Sequence, residues 1–540
     1  LLRYATCSFL NFVPSVFRSR GLTLFDQAFL KSTSTLYLMS LFSTQGTKVM
    51  RSGIRLHSTK AASLSQFGGV HGNKANATTM QWRNKPLFRR TGDVKFRTGS
   101  EAANLLCDEA ARLDSNQTLF LQTYDQTVKA LAPVFDRNPK FAWVAKTMVE
   151  PERMIQFRIA WLDDQGTIRL NRGFRVQYSS SLGPYEGGLH FGKHVNADYV
   201  KAMAFDTLCS NSLAGVNFGA ASGGSDFDPT TKSEAEIQRF CQCFMTELSK
   251  YVGSSVDYPG TGTGVGTAEV GYLYGQYKRI NQISAFKGRG LLWGGAVPFP
   301  QAPGYGVVHF AEHLLKAAKK DSLRGKRVLI TGSGAVALAV AEKVLMFGGI
   351  PITLSDSSGH VYEEGGIDAS KLGTLKKIKS DRGARIGRYI VSSTTAKYSE
   401  PENIFAIPCD VCIPCSGLTN EIGEVEAQLL ADHGCSAVIE GSNMPSSPAA
   451  ILAYKKRGLL FAPYKATLAV SAVATGGVLG EVPMKTVEEL DASLDAMAAC
   501  VYDKIKATAK EFNTRGDLNA GAQIAAFVKV ADVMMAHGAV

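Results

Sequence analysis

Apolar residues recur at every third or fourth position in two long stretches, which is the spacing of an amphipathic helix. The first covers residues 118–135 and the second residues 233–253. In the second stretch, Ser233 and Glu236 form a capping box at the predicted start. Gly253 supplies the predicted stop. The sequence therefore predicts two helices that each bury one face.

Between these helices, apolar and polar residues alternate over residues 154–180, which is typical of strands with one buried face. The alternation is interrupted once, at "DDQG" over residues 163–166. Turn-forming residues at one interruption predict a β-hairpin.

The pattern changes to strand, glycines, helix and strand in "KRVLITGSGAVALAVAEKVLMFGGIPITLSDSSG". Gly332, Gly334 and Ala337 fit G-x-G-x-x-A directly after the predicted strand Arg327–Thr331, and Asp356 ends the next strand. Glycines at this place let a pyrophosphate reach the helix N-terminus. The unit predicts a Rossmann dinucleotide site, although a Rossmann-like fold without nucleotide would have the same pattern.

The choice between NAD and NADP stays open at this stage. Asp356 suits the ribose 2′-hydroxyl of NAD, whereas Ser357 and Ser358 beside it suit the 2′-phosphate of NADP. Asn443, in "EGSNMP", is a further candidate for contact with the cofactor.

The stretch "VNFGAASGGSDFDP", residues 216–229, reads as a glycine-rich loop shaped for close approach to a small ligand. Its middle offers Ser222 and no Lys, His or Cys. Asp226 and Asp228 are interpreted as turn and capping residues. The loop is thus predicted to lie at a site while lacking a reactive group.

Positive charge is concentrated at the N-terminus. Residues 1–100 contain 15 Lys and Arg but 2 Asp and Glu, and the net charge of the whole chain is +12. This composition predicts a mitochondrial transit peptide, with a basic disordered tail as the alternative. The remaining chain is about neutral, which argues against a nucleic-acid surface. No apolar run of membrane-spanning length is evident.

Ten cysteines occur at irregular spacing, which favours reduced thiols over a disulfide framework. Cys409, Cys412 and Cys415 resemble a metal motif, but their surroundings are apolar and no suitable fourth ligand follows. They are interpreted as core residues, and no metal is predicted.

Several motifs occur in an order that closely resembles the hexameric NADP-dependent glutamate dehydrogenases, over about residues 115–540. They are "NRGFRVQYSSSLGPYEGGLHF", "GGSDFDP", "RFCQCFMTELSKYVG", "GVGTAEVGYLYGQYKR", "GSGAVA", "SDSSG", "EGSNMP" and "LFAPYKA". The resemblance implies an α/β protein with an N-terminal substrate and assembly domain, a Rossmann-type dinucleotide-binding domain, and C-terminal helices that return to the first domain. It also implies NADP or NAD as cofactor and a homo-hexamer or a hetero-oligomer.

Combined with the patterning, the resemblance divides the chain into five segments. They are a transit peptide or disordered leader at 1–60, a linker at 61–110, the substrate and assembly domain at 111–300, the Rossmann domain at 301–480 and a helical segment at 481–540.

The sequence departs from this family where the family carries its chemistry. Glu186 and Ser210 stand at the two substrate-binding lysines, and Ser222 stands at the catalytic lysine. Gly262 occupies the position of the catalytic aspartate, and His190 stands where arginine is usual. Loss of groups that act together commonly costs orders of magnitude in rate.

Further departures follow along the chain. Phe299 and Pro303 replace an arginine and a threonine, Leu468 replaces the nicotinamide-side asparagine, and Gly476 aligns with a substrate-binding serine if one residue is inserted. The sequence therefore predicts a matrix protein that has kept the fold and lost the glutamate chemistry. Its predicted role is structural or regulatory, with an active relative or a larger mitochondrial assembly as partner.

Two alternatives remain. In the first, the chain is an enzyme for a different, cationic or neutral substrate, using Glu186, His190, Asp226 and Asp228 as its ionisable groups. In the second, it is an ordinary glutamate dehydrogenase whose substitutions are compensated.

Overall fold

The computed structural model describes five stretches of the chain, and the structural statements below apply to them. They are residues 96–253, 255–281, 301–400, 403–472 and 486–538. The predicted leader lies outside these residues, as do Phe299 and Gly476.

Four helices open the described chain. They are α1 (Gly99–Leu113), α2 (Thr118–Ala130), α3 (Ala132–Arg137) and α4 (Phe141–Thr147). The single helix predicted over 118–135 is wrong in one respect, because it breaks at Leu131. Pro133, in the first turn of α3, has no backbone N–H to donate and ends the run of α2.

The folded body begins earlier than the patterning predicts. Helix α1 lies largely within the segment interpreted as a linker, and its Ala102, Leu106 and Ala110 are buried together with Phe96. Alanines bury little apolar surface each, so the apolar signal of this helix is weak in the sequence.

The next elements form the predicted hairpin and a mixed sheet. Strands β1 (Arg153–Leu162) and β2 (Ile168–Ser179) pair antiparallel, and Asp163 with Gly166 closes the turn, which confirms the hairpin. The sheet order is β1-β2-β4-β3-β5, with β3 at Tyr185–Phe191, β4 at Ala220–Ser225 and β5 at Asp257–Gly260. Strand β4 therefore lies in the middle of the sheet.

Helices α5 (Ala197–Ala214), α6 (Glu234–Leu248) and α7 (Thr267–Asn281) accompany this sheet. The capping box of Ser233 and Glu236 is confirmed at the start of α6. The predicted stop at Gly253 is wrong, because the helix ends at Leu248 and Gly253 instead bridges to Asp257.

The second domain is built on a parallel sheet of order β13-β12-β11-β6-β7, as the Rossmann prediction requires. Three further strands, β8, β9 and β10, form a separate antiparallel sheet of order β10-β9-β8. The strands are β6 (Arg327–Thr331), β7 (Ile350–Pro351), β8 (Thr353–Asp356), β9 (Gly359–Tyr362), β10 (Lys397–Ser399), β11 (Val411–Pro414), β12 (Ala437–Ile439) and β13 (Leu460–Ala462). The helices are α8 (Ala302–Lys319), α9 (Ala335–Met346), α10 (Ala369–Ser380), α11 (Glu424–Asp432) and α12 (Pro448–Arg457).

Three helices end the chain, and they return to the first domain as predicted. They are α13 (Tyr464–Ala469), α14 (Val487–Glu511) and α15 (Leu518–Ala536). Ser212 Oγ on α5 donates to the carbonyl of Ala526 on α15 at 2.7 Å, and Lys504 on α14 donates to the carbonyls that end α5. Helix α15 is long and apolar enough to span a membrane, but most of its apolar window is buried inside the fold.

Candidate functional site

Ser222 lies on a buried strand and not on a loop. All six residues of β4 are buried, and Ser222 pairs with Val176 of β2. Among the described residues, its Oγ has less than 1 Å² of accessible surface and no hydrogen-bond partner. The prediction of a glycine-rich ligand loop at this point is therefore wrong, because the glycines allow close packing of neighbouring strands.

The glycines of β4 show how tight that packing is. A Cβ added to Gly224 would lie 2.0 Å from the carbonyl oxygen of His190, and one added to Gly223 would lie 2.8 Å from the Leu189 side chain. Both neighbours belong to β3, which runs parallel to β4. The glycines do permit a close approach, as inferred from the sequence, but it is the approach of β3 to β4 and not of a ligand to the backbone.

Glu186, on β3, is also buried, with 6% of the residue exposed. Asn211 Nδ2 donates to Glu186 Oε2 at 3.0 Å and to the Gly219 carbonyl at 2.9 Å. Ser210, one residue earlier on α5, donates from Oγ to the carbonyl of Lys465 at 3.3 Å. Two positions predicted to face substrate thus make contacts within the protein.

Gly262 lies against the end of β3. A Cβ built on it would be 2.2 Å from the Leu189 carbonyl oxygen and 3.0 Å from His190 Cε1. Real Cβ atoms essentially never approach this closely, so an aspartate at position 262 would require the backbone to move.

His190 is half-buried. Burial lowers the pKa of His190 to about 4, and the neighbouring His194 and Arg175 lower it further in smaller measure. Its Nδ1 accepts a hydrogen bond from the Thr263 N–H at 3.2 Å. The imidazole is therefore neutral at physiological pH and supplies no positive charge for a carboxylate.

One cation lies close to this region, and the sequence reading missed it. Arg175 is fully buried and makes two hydrogen bonds to Asp257, one of them from Nε at 3.0 Å. Gln177 adds a third hydrogen bond to the same carboxylate at 2.9 Å. Because Arg175 and Asp257 lie on strands 82 residues apart in the sequence, no local pattern predicts the pair.

A second buried polar cluster joins the two domains near Lys465 of "LFAPYKA". Lys465 Nζ donates to Thr127 at 2.8 Å and to Gln523 at 3.0 Å, and lies 3.4 Å from Asp206. Tyr464 donates its hydroxyl to Asp206 at 2.9 Å. These groups hold α2, α5, α13 and α15 together, which is a structural role.

Of the two aspartates after β4, Asp228 has the predicted capping role, whereas Asp226 contacts strand β2 and not its own turn. Asp226 accepts hydrogen bonds from Asn171 at 2.9 Å and from the Arg172 backbone and side chain at 3.0 Å. Asp228 caps the short turn that follows by accepting from Thr230. Both carboxylates are thus occupied within the protein.

Two other predicted positions are packed elements of the fold. Leu468 is half-buried on α13 and packs against the main core. Pro303 lies in the first turn of α8, where a missing N–H costs nothing. Neither side chain offers a polar group to a substrate.

The nucleotide turn has a different character. Gly332 follows β6 with a φ of 83°, and a Cβ there would lie 2.6 Å from the Cys415 carbonyl oxygen. Gly334 is the N-cap of α9, and a Cβ there would meet nothing within 4 Å. Ala337 is fully buried, which lets α9 lie close to the sheet. The turn therefore presents the α9 N-terminus to open space, as phosphate binding requires.

Asp356, at the end of β8, has both carboxylate oxygens occupied. Oδ1 accepts from the Ser358 N–H at 2.8 Å, and Oδ2 accepts from the Ile386 N–H at 2.7 Å. Burial alone would raise the pKa of Asp356, but these hydrogen bonds and the charge of Lys379 outweigh it and hold that pKa below its usual range. The carboxylate is thus ionised and committed to neighbouring groups.

Basic side chains surround this end of the site, and the sequence reading missed them. Arg385 donates to the exposed Ser357 hydroxyl, and Lys379 Nζ lies 3.5 Å from Asp356. They come from α10 and the loop after it, about 25 residues downstream, outside the motif itself. An arginine beside the ribose position is the feature that accommodates a 2′-phosphate.

Asn443 is half-buried just beyond the carboxyl end of β12. The preceding residues bond to the end of β11, since Gly441 N–H donates to the Pro414 carbonyl at 3.0 Å. Asn443 therefore lies along the same sheet edge as the turn at Gly332. The three cysteines of "CDVCIPC" are buried, which confirms them as core residues.

Comparison with known proteins agrees with this architecture. A family profile described as "Glu/Leu/Phe/Val dehydrogenase, dimerisation domain" matches residues 151–279, and one described as "Glutamate/Leucine/Phenylalanine/Valine dehydrogenase" matches residues 294–538. The NADP-specific glutamate dehydrogenase of Chlorella sorokiniana is 43% identical over 474 residues, which cover 86% of this chain and 90% of that protein. The chain belongs to the Glu/Leu/Phe/Val dehydrogenase family.

Other members of the dehydrogenase family match along nearly their whole length. The NADP-specific enzyme of Giardia intestinalis is 39% identical over 435 residues, covering 79% of this chain and 96% of that protein. The crystal structure of Plasmodium falciparum glutamate dehydrogenase superposes with a TM-score of 0.76 at 39% identity, covering 82% of this chain and 95% of that chain. The predicted fold class is confirmed, and so is the relationship to the NADP-specific glutamate dehydrogenases.

Proposed function

We propose that this family member binds NADP(H) and does not interconvert glutamate and 2-oxoglutarate, so that its role is structural or regulatory. The observation that carries the proposal is Ser222, at the position where the resemblance implies a catalytic lysine. Its hydroxyl is buried on a central strand and has less than 1 Å² of accessible surface. A group that substrate cannot touch cannot transfer a proton to it.

The charges around Ser222 support the same conclusion. A dicarboxylate substrate needs cations, but Arg175 is committed to Asp257 and His190 is neutral at physiological pH. Glu186 adds a carboxylate, and two like charges 4 Å apart repel by about 4 kcal/mol at an intermediate effective dielectric. Binding of glutamate in this region would therefore be opposed.

NADP(H) is the proposed cofactor, in preference to NAD(H). The curated relatives described above are NADP-specific. Ser357 and Arg385 lie together at the ribose end of the site, and the carboxylate of Asp356 is already hydrogen-bonded. This arrangement favours a 2′-phosphate over a free 2′-hydroxyl.

Two measurements on the purified chain from residue 60 onward test this function. NADPH oxidation is followed with 2-oxoglutarate and ammonium at high protein concentration, and NADPH and NADH are each titrated by calorimetry. We expect NADPH binding without turnover. A rate within the usual enzyme range of about 1–1000 per second would refute the loss of activity. Absence of heat with both nucleotides would refute the cofactor.

A second candidate is a dehydrogenase for a different amino acid. The observation in its favour is Glu186, a buried carboxylate held by Asn211, which suits a cationic or neutral substrate better than glutamate. Reduction of NADP⁺ with a panel of basic and apolar amino acids tests it. Turnover of any of them at a rate above about 1 per second would replace the first proposal.

We also propose an oligomer, located in the mitochondrial matrix. Edge strand β1 and its partner β2 expose four apolar side chains, and an exposed apolar edge is a surface that pairs with another chain. These residues are Met154, Leu162, Ile168 and Leu170. Light scattering on the Ile168→Arg variant tests the assembly, and imaging of the chain with and without residues 1–60 tests the targeting.

A further inference from the structure

The loop after α10, residues 381–386, contacts the nucleotide site at two points. The Ile386 N–H donates to Asp356 at 2.7 Å, and Arg385 donates to Ser357. Lys379, at the end of α10, fixes the loop from the other side by donating to the Ala384 carbonyl at 2.8 Å. The position of this loop is therefore tied to the residues proposed to meet the cofactor ribose.

The same loop also reaches across to the substrate domain. Arg382 Nη2 donates to Glu269 Oε1 on α7 at 2.6 Å. Glu269 is nearly buried, with 6% of its side chain exposed, and its other oxygen accepts from the Gly266 N–H at 2.9 Å. At Gly383, where φ is 78°, a Cβ would lie 3.2 Å from the Thr230 carbonyl oxygen. The loop thus approaches the first domain at two separate places.

These contacts differ from ordinary surface ion pairs. Arg388 and Asp381, from the same part of the chain, also form a pair at 3.7 Å, but both belong to the second domain and both are more than 60% exposed. The Arg382–Glu269 pair joins two domains, and one partner is shielded from water, so the charge attraction is screened less. A second contact between the domains, the reciprocal amide pair of Gln122 and Asn420, has N–O distances of 2.8 and 2.9 Å.

We propose that residues 381–386 are a latch that holds the two domains together and couples this contact to occupancy of the nucleotide site. Arg382 is hydrogen-bonded to Glu269 of the first domain, while Arg385 and Ile386 are hydrogen-bonded to the residues at the ribose end of the nucleotide site. A ligand that moves Arg385 would shift the same loop that carries Arg382. Because coupling between two events is reciprocal, weakening the latch must change nucleotide affinity.

The first test needs no ligand. Small-angle X-ray scattering and amide exchange are measured on nucleotide-free chains carrying Arg382→Gln, Glu269→Gln or, as control, Arg388→Gln. We expect a larger radius of gyration and at least threefold faster exchange over residues 262–270 in the first two variants, and wild-type values in the control. Wild-type values in all three variants would overturn the latch.

A second variant approaches the latch by shape alone. Gly383→Ala adds a Cβ against the Thr230 carbonyl and strains a backbone conformation that side chains rarely adopt. We expect it to increase the radius of gyration in the same scattering measurement while Arg382 and Glu269 stay unchanged. A radius of gyration equal to that of wild type would contradict the role of this loop in holding the domains together.

The coupling is tested by NADPH titration, and this part rests on the proposed function. We expect Arg382→Gln to change NADPH affinity at least threefold, although Arg382 itself bonds to Glu269, and Arg388→Gln to leave it unchanged. Equal affinities in wild type and both variants would overturn the coupling. If no variant binds NADPH, the proposed cofactor fails, whereas the scattering result still decides whether the latch exists.

Discussion

Two glycine-rich regions of this chain have opposite surroundings. At Gly187 and Gly262, an added Cβ would lie 1.7 and 2.2 Å from backbone oxygens of the protein itself. At Gly334, an added Cβ would meet nothing within 4 Å. Gly187 and Gly262 serve close packing within the protein, whereas Gly334 leaves room for a ligand, although Gly332 before it packs against the Cys415 carbonyl. Glycine content alone therefore does not identify a binding site. The deciding observation is whether a side chain added at the glycine would contact the protein itself or open space.

The charges of the two regions differ in the same way. In the substrate domain, the guanidinium of Arg175 is fully buried against Asp257. At the nucleotide turn, Arg385 contacts an exposed serine, whereas Lys379 is already paired with Asp356. A cation can recognise an anion only if it is reachable and its charge is not already neutralised. By that criterion, the nucleotide region is equipped for an anionic ligand and the Ser222 region is not.

The largest effect is expected at the buried ion pair. Replacing Arg175 by Met leaves Asp257 charged and buried, and breaking such a pair costs about 3–5 kcal/mol of unfolding free energy. Urea denaturation measures the loss. Arg172→Met, which removes a guanidinium 60% exposed beside Asp226, is the control and should cost about 1 kcal/mol or less. Equal losses would show that Arg175 is not the structural residue described here.

A smaller loss is expected from placing an aspartate at position 262, where the resemblance implies one. Gly262→Asp places a Cβ against the Leu189 carbonyl, and overpacking of this kind costs about 1–3 kcal/mol. We expect lower stability and no glutamate turnover, even when combined with Ser222→Lys. Gly365→Asp, whose Cβ would meet nothing within 4 Å, should be close to neutral. Glutamate turnover in the double variant would mean that the region is open to substrate.

The third effect concerns the cofactor. Arg385→Ala should weaken NADPH binding about tenfold, equivalent to about 1.4 kcal/mol, and leave NADH binding unchanged, because NADH has no 2′-phosphate. Calorimetric titration measures both affinities, and Arg388→Ala is the matched control. If the variant loses NADPH and NADH affinity equally, Arg385 does not recognise the 2′-phosphate.

The smallest effect is expected at the hydroxyl that gave rise to the functional proposal. Ser222→Ala removes a buried group that has no partner and should change stability by less than about 0.5 kcal/mol or increase it. Ser225→Ala, on the same strand, removes the acceptor of the Phe227 N–H and should cost about 0.5–1.5 kcal/mol. Thermal denaturation distinguishes the two. A cost at Ser222 equal to that at Ser225 would reveal a partner for its hydroxyl.

The accuracy of the sequence predictions varied with how local the deciding interactions are. The hairpin turn at Asp163, the capping box at Ser233 and the strand–turn–helix around Gly332 depend on neighbours a few residues away, and all three are confirmed. The break at Leu131 could also have been predicted, since Pro133 is visible in the sequence. The end of α6 at Leu248 could not, because Gly253 is used in a bridge to Asp257.

The candidate site was harder to predict. Arg175 and Asp257 are 82 residues apart, and Arg385 is 28 residues from the serine that it contacts. Such pairs have no periodicity or spacing that marks them. Through the resemblance, the sequence singled out Ser222 and Gly262, but it did not show the packing around them.

By itself, the sequence determined the α/β class, the Rossmann unit and the family, because these depend on local pattern and residue identity. Tertiary structure alone decided that "AASGGS" is a central buried strand, that the guanidinium of Arg175 is already neutralised, and that Arg382 spans the two domains. The physical reason is that burial and pairing are properties of distant segments brought together. The chemical group that a residue carries is known from the sequence, but whether a ligand can reach that group depends on which segments pack against it.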